Sequence, residues 1–242
     1  MRVPHPRTRL GWTVSAFTGL VVAGAAAFLV VYLTQFGGSN VAPLTLSSGS
    51  ASPAARPTLT RAQLAGKWTV TSPSVAGYRV REQLAFLQSP SDAVGRTSSV
   101  SGSMTVTEGG SGLTVTSAQL SVDVSALTSD QQMRDQHLHT LGLESDQFPT
   151  ATFVLTTPIV LPATVVSGAQ FSVSATGQLT IHGVTKTVTI PLTGRLSAAQ
   201  VEVAGSISFP FEMFGMQVPN VAGFVSVVDR ATMEFDVHFA RA

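Results

Sequence analysis

The chain has 242 residues, of which 44% are apolar and 11% charged, and it carries a net charge of +1 and no cysteine. So few charges argue against a disordered solvating tail or a coiled coil, and a nearly neutral chain lacks the concentrated basic face of a general nucleic-acid binder. Without cysteine the chain has no disulfide, thiolate metal site, iron–sulfur cluster or cysteine nucleophile.

The first predicted element is a single transmembrane helix over residues 12–36. After three arginines within residues 1–11, the next charged residue is Arg56. The predominantly apolar run at 12–36 is longer than the roughly 20 residues that span a bilayer. Because the arginines precede this run, we expect a cell-membrane location with a cytoplasmic N-terminus and an extracytoplasmic remainder. A cleaved signal peptide is the alternative, although its apolar region is usually only about 7–15 residues long.

Residues 37–66 are predicted to form a flexible linker. They are rich in Gly, Ser, Ala, Thr and Pro and show no sustained hydrophobic period. A flexible chain of this length has an end-to-end distance of roughly 30 Å. From residue 67 onward an apolar–polar period of two begins, so residues 67–242 are predicted to form one folded β domain.

The clearest predicted strand is 231–239, where apolar and polar residues alternate strictly. Its apolar side chains are predicted to face the interior: Met233, Phe235, Val237 and Phe239. Its polar side chains are predicted to lie on a solvated surface: Glu234, Asp236 and His238. Similar alternating runs predict further strands at 68–71, 78–87, 98–107, 113–124, 151–156, 170–181, 185–195 and 201–209.

The only predicted helix of this domain covers residues 129–143, with Ser129 or Asp130 as its N-cap. A domain of eight or nine strands must protect its sheet edges, and closure into an antiparallel β-barrel is favoured here over two packed sheets. Inward-facing side chains either fill a solid core or line an apolar cavity, and periodicity leaves both open. An eight-stranded barrel is about the smallest that holds one small ligand.

Three sequence blocks, preceded by KWTV at 67–70, carry a resemblance to a known family. They read MRDQHL at 133–138, DQFPTATF at 146–153 and GQLTIHGVTK at 177–186. In this order and spacing they resemble the YceI-like family of bacterial lipid-binding proteins over about residues 67–240. The resemblance implies an extended, lipocalin-like barrel around a long apolar pocket that holds a polyisoprenoid or quinone chain. The implied role is carriage or storage of that lipid in the cell envelope. Many members have a cleaved signal or none, so the predicted anchor departs from the family pattern.

The predicted ligand-binding residues are large apolar side chains, taken from alternation, from the family match and from the Phe- and Met-rich segment 209–224. That segment is interpreted either as an apolar rim or lid over a lipid entrance, or as a loop folded back into the core. The predicted residues are Phe86, Phe153, Phe171, Phe209, Phe211, Phe214, Met233, Phe235 and Phe239.

Arg134, Asp135 and His137 belong to the densest polar cluster of the domain and form a possible polar end of the cavity. The favoured alternative is that Arg134 and Asp135 fix a turn between strands, because an isoprenoid offers few polar atoms. No metal site is predicted, since His137 and His139 have no third ligand nearby and residues two apart do not share a helix face. His182 is interpreted as part of a hairpin turn.

No enzymatic activity is predicted. The sequence has no G-x-S-x-G elbow, no strand–helix alternation to carry one, and neither G-x-G-x-x-G nor a P-loop. The leading hypothesis is therefore a membrane-anchored barrel that binds a long-chain isoprenoid lipid or quinone, with no cofactor besides such a lipid. The alternative is a membrane-tethered interaction module with a solid barrel, whose protein partners the sequence does not identify.

Overall fold

Alternation of apolar and polar residues places most of the described chain in β-strands. The structure is a computed structural model that describes residues 41–47, 60–84, 90–110, 112–197, 200–221 and 225–242. The predicted transmembrane helix at 12–36 and Phe86 lie outside these residues. Within the described part of the chain, no helix is long and apolar enough to cross a bilayer.

Twelve strands are present in the described residues, and they pair in antiparallel fashion. In chain order they are β1 (Gly66–Leu84), β2 (Ser91–Thr97), β3 (Val100–Gly109), β4 (Gly112–Asp123), β5 (Thr128–Ser129), β6 (Thr150–Leu155), β7 (Ile159–Val160), β8 (Phe171–Ile181), β9 (Val184–Ser197), β10 (Gln200–Phe209), β11 (Asn220–Val221) and β12 (Val225–Arg241).

Helical segments are short. Helix α1 (Arg61–Leu64) precedes β1, and α2 (Gln132–His137) continues as a π-helical turn over Leu138–Gly142. Helix α2 confirms the predicted helix at 129–143, but its N-cap is Gln131, which makes no side-chain capping bond. The predicted cap Ser129 instead donates its N–H to the carboxylate of Asp135. Further 3₁₀ turns lie at Val124–Ala126, Ala163–Ser167 and Phe211–Phe214.

Eight of the strands close into a barrel. Around the ring the order is β1, β3, β4, β6, β8, β9, β10 and β12, and β12 pairs with β1 to complete it. The predicted eight-stranded antiparallel barrel is therefore confirmed. Strand β1 pairs with β3 through its first residues and with β2 through residues 76–82, so β2 extends the wall beyond the end of β3.

The predicted strand 68–71 and the described part of the predicted strand 78–87 belong to the single strand β1. The register of β1 against β12 shifts between Thr71 and Val75, and this irregularity interrupts the alternation that defines a strand in sequence. Strand β2 was not predicted, because Ala93, Val94 and Gly95 are buried consecutively and do not alternate.

The folded domain begins before residue 67. Thr60 and Gln63 form a capping box around α1, and Leu64 is buried in the core. The indole N–H of Trp68 donates to the Leu64 carbonyl at 3.0 Å. The last part of the predicted linker 37–66 is therefore a lid of one helical turn, too short to show a hydrophobic period in the sequence.

Candidate functional site

The inward-facing side chains of the barrel enclose a cavity of about 140 Å³. Residues from the barrel strands, α1 and the loops around β7 line it, and apart from Thr152 all of them are apolar. Among the described residues the wall therefore carries no charged side chain, and such a cavity favours a hydrocarbon over any polar ligand.

Strand β12 faces the cavity as its alternation predicted. Five of the nine predicted ligand-binding residues line the cavity, from β6, β8 and β12: Phe153, Phe171, Met233, Phe235 and Phe239. Val237 lies between them and also lines the cavity. That these residues contact a ligand stays a prediction, since their position is what the structure provides.

Glycines on neighbouring strands make room for the phenylalanine rings. Phe171 lies directly opposite Gly194, and a Cβ on that glycine would come within 2.4 Å of the ring. Phe235 lies in the same way against Gly205, where a Cβ would come within 2.8 Å of its ring. These pairs depend on strand register, so the sequence alone did not identify them.

Sequence reasoning did not name Trp68 as a site residue. Its side chain is 1% exposed and lines the cavity. The signal was present, because Trp68 and Val70 alternate with polar residues at the start of β1 and Trp68 belongs to the KWTV block.

Phe209, Phe211 and Phe214 are buried, but they are not part of the cavity wall. The rings of Phe209 and Phe214 meet edge to face with centroids 4.8 Å apart, and Phe214 is completely buried. Of the two interpretations of segment 209–224, the burial of Phe209, Phe211 and Phe214 matches the loop folded into the core. Their apolar character thus serves packing, and that these three side chains contact a ligand stays a prediction.

Arg134 and Asp135 also lie outside the cavity wall. The Arg134 Nε donates to Glu82 at 3.0 Å and its Nη1 donates to Asp130 at 2.6 Å. Asp135 accepts the Ser129 N–H and hydroxyl, while His137 is exposed. These contacts hold α2 against β1 and the short strand β5, so the pair has a structural role, but it fixes a helix and not the predicted turn between strands.

This polar cluster reaches inward to Tyr78. The Tyr78 hydroxyl is buried and has no hydrogen-bond partner among the described residues. Burial raises the pKa of Tyr78, and the nearby Arg134 guanidinium opposes the rise. Burial likewise raises the pKa of Glu82 against the opposing effect of Arg134. A neutral phenol is thus held beside an ion pair, next to the apolar interior.

The histidines do not form a catalytic arrangement in the described residues. His139 Nδ1 lies 2.7 Å from Ser145 Oγ and 3.8 Å from Asp146 Oδ1, so both partners share one ring nitrogen. A Ser–His–Asp triad requires them on different nitrogens. His182 and Gly183 have positive φ values of 51° and 71° in the β8–β9 hairpin, as the turn interpretation predicted.

The outer face of β12 differs from the sequence expectation. Glu234 is only 2% exposed, and Asp236 and His238 are half-buried, so the prediction of a solvated surface is wrong for this stripe. The reason is a covering segment, residues 41–47, which lies against the stripe through hydrogen bonds to Glu234 and Glu202.

Three side chains of the kinds that bind metal ions also lie close together on this outer face. Oxygen and nitrogen atoms of Glu202, Asp236 and His238 lie within 4.8 Å of one another. Arg195 donates to Glu202 at 2.7 Å and supplies positive charge there. Burial, followed by the repulsion of Glu202, raises the pKa of Asp236 to about 6. We therefore describe this group as an ion-pair cluster.

Comparisons with known proteins agree with the barrel. The family model for a YceI-like domain matches residues 68–239. No curated protein matches the chain. A polyisoprenoid binding domain from Saccharophagus degradans, implicated in plant cell wall breakdown, superimposes with a TM-score of 0.55 at 16% identity, over 74% of this chain and 99% of that one. BcnA from Burkholderia cenocepacia gives a TM-score of 0.48 at 20% identity, over 66% of this chain and 95% of its own.

Proposed function

Since this chain belongs to the YceI-like family, we propose that its barrel binds a long apolar lipid chain, a polyisoprenoid or a quinone tail, for carriage or storage. The observation that carries the proposal is the cavity, whose wall is apolar apart from Thr152. We further propose that residues 12–36 anchor the protein in the cell membrane, with the barrel on the extracytoplasmic side.

Binding of this kind needs no polar contact. Each methylene removed from water contributes about 0.8 kcal/mol. A chain of many carbons therefore gains enough to offset the cost of association without a hydrogen bond from the wall. Selectivity then follows from the length and bend of the cavity, because no charged side chain lines it to recognise a head group.

The size of the cavity limits how the lipid enters. A cavity of about 140 Å³ is comparable to an engineered apolar cavity of about 150 Å³ that binds benzene. A long isoprenoid needs more room, so binding requires side chains of the wall to move. Met104 and Met233 line the cavity, and methionine adapts its shape more readily than branched side chains do.

The same small volume favours the second candidate function. If the side chains do not move, the barrel is effectively solid, and the protein is a membrane-tethered interaction module. The two functions differ in whether lipid is retained by the wall of the cavity, and this can be measured.

The test is organic extraction and mass spectrometry of the full-length chain, purified in detergent from a bacterial host that makes isoprenoids. We expect one isoprenoid or quinone to be enriched over bulk membrane lipid, at close to one molecule per chain. Ala118→Phe places a ring in the cavity and should remove this lipid. Gln119→Phe is the matched control, because Gln119 neighbours Ala118 on β4 but is exposed.

Loss of the lipid from Ala118→Phe alone supports the cavity. Equal lipid content in both variants and in the native chain would show that the lipid is bound elsewhere. A native chain without enriched lipid, together with no uptake of added isoprenoid, would favour the interaction module.

A further inference from the structure

Two carboxylates on the neighbouring strands β10 and β12 are buried on the outer wall of the barrel. Glu234 on β12 and Glu202 on β10 are each only 2% exposed, although both point away from the cavity. Arg96 approaches Glu234 at 2.9 Å and Arg195 approaches Glu202 at 2.7 Å. Burying a carboxylate is costly unless it is paired and hydrogen-bonded, so whatever covers these groups must offer donors as well as bulk.

Residues 41–47, named the strap here, provide that cover. The N–H of Leu44 donates to Glu234 at 3.2 Å, and the N–H of Ser47 donates to Glu202. The strap therefore completes the hydrogen bonding of both carboxylates.

Arginines on the same wall bind the carbonyl groups of the strap. Arg79 donates to the Val41 carbonyl at 2.8 Å, and Arg96 donates to the Ala42 carbonyl. At the other end, Arg195 donates to the Ser47 carbonyl at 2.7 Å. The wall thus recognises the main chain of a peptide. Its carboxylates accept hydrogen bonds from N–H groups, and its guanidinium groups donate hydrogen bonds to carbonyl groups.

The strap sequence suits an extended main chain. Pro43 fixes its own φ and has no N–H that would need a partner. Leu44 and Leu46 are half-buried, while Thr45 between them is exposed, as in a segment that lies with one side on a surface. The carboxylates and guanidinium groups of the wall are therefore matched by N–H and carbonyl groups of the strap.

We propose that the outer wall around Glu234 and Glu202 is a binding groove for an extended peptide, and that the strap occupies it in cis. The groove is separate from the cavity, since Arg79, Arg96, Arg195 and both carboxylates lie outside the cavity wall. The strap docks as a unit and can dissociate while the barrel stays closed, because it contributes no strand to the ring.

Amide hydrogen exchange of the full-length chain in detergent tests this docking. We expect the amides of the strap to exchange at least about tenfold more slowly than in a free peptide of the same sequence. Leu44→Pro removes one donated N–H, Ser47→Pro removes a donated N–H together with the hydroxyl that contacts Arg195, and both leave every barrel residue in place. Both should raise the exchange of the remaining strap amides towards the free-peptide rate, whereas Thr45→Ala should not.

A synthetic peptide of residues 41–47 with a fluorescent label tests the groove itself. A short flexible linker gives a tethered segment an effective concentration of about millimolar. At concentrations up to that value, the peptide should bind the full-length Leu44→Pro/Ser47→Pro chain and not the native chain. Unprotected strap amides in the native chain would overturn the docking. Peptide binding to neither chain, or to both equally, would overturn the groove.

Discussion

The two faces of strand β12 are buried by different means. Its inner face presents Phe235, Val237 and Phe239 to a cavity with no charged lining residue. Its outer face presents Glu234 to Arg79, Arg96 and the strap, and Asp236 lies 3.8 Å from His238. Alternation in the sequence predicted which side chains lie on each face of the strand, but it did not predict which part of the protein covers each face. The inner face needs only apolar neighbours, whereas every charge on the outer face needs a particular partner.

The largest expected loss of stability and of bound lipid is that of Phe235→Asp. This substitution places a carboxylate, which belongs on the outer face, on the apolar inner face. Loss of a buried phenylalanine costs about 3–5 kcal/mol, and the new carboxylate has no partner in the cavity wall. We expect urea denaturation to show this loss of stability and mass spectrometry to show no retained lipid.

Phe235→Leu is the control for that substitution, because it keeps an apolar side chain in the cavity. It should retain lipid. A folded Phe235→Asp protein that still retained lipid at the native level would contradict the assignment of the inner face as the binding surface.

An intermediate effect is expected at Gly194, where the inner face depends on a missing side chain. A Cβ there would come within 2.4 Å of the Phe171 ring, and overpacking of a core costs about 1–3 kcal/mol. Gly194→Ala should therefore lower the free energy of unfolding by that amount. Since Phe171→Leu makes room for the methyl group, the double variant should lose less stability than the sum of the single variants. Strict additivity in this double-mutant cycle would show that the ring does not depend on Gly194.

The smallest effect concerns pH and acts on the outer face alone. Burial and the neighbouring Glu202 raise the pKa of Asp236 from 3.8 to about 6 in the folded protein. Between these two values the folded state binds more protons than the unfolded state, so stability falls as pH rises from about 4 to about 6.

Other charges around Asp236 act in the same region. His238 and Arg195 oppose the rise of its pKa. Burial raises the pKa of Glu202, but hydrogen bonds from Ser47 and Arg195 outweigh burial and lower it. Asp236→Asn should flatten the decline in unfolding free energy between about pH 4 and 6. A decline that persists unchanged in this variant would assign it to another group.

Much of the barrel was predictable from the sequence because the alternation of apolar and polar residues depends only on residues adjacent in the chain. A residue such as Phe235 is assigned to the inner face from its immediate neighbours, and the number of strands then favours closure over two packed sheets. The helix prediction at 129–143 and the turn signal at His182 and Gly183 placed α2 and the β8–β9 hairpin at the right positions.

The remaining features depend on residues that are distant in sequence. Gly194 makes room for Phe171 only through strand register. Phe211 and Phe214 are apolar in a loop, and only the fold shows that they pack in the core and not on the cavity wall. The strap has no hydrophobic period of its own, since it contacts Glu234 and Glu202 through the N–H groups of Leu44 and Ser47 and through the Ser47 hydroxyl.

This main-chain recognition bears on how the strap evolves. Every residue type except proline presents the same N–H and carbonyl groups, so substitutions at the exposed Val41, Ala42 and Thr45 are expected to be nearly neutral. Selection would act instead on the spacing between Leu44 and Ser47 and against proline at either position. Among relatives the segment is therefore expected to resemble a linker whose length is conserved while its amino-acid sequence varies.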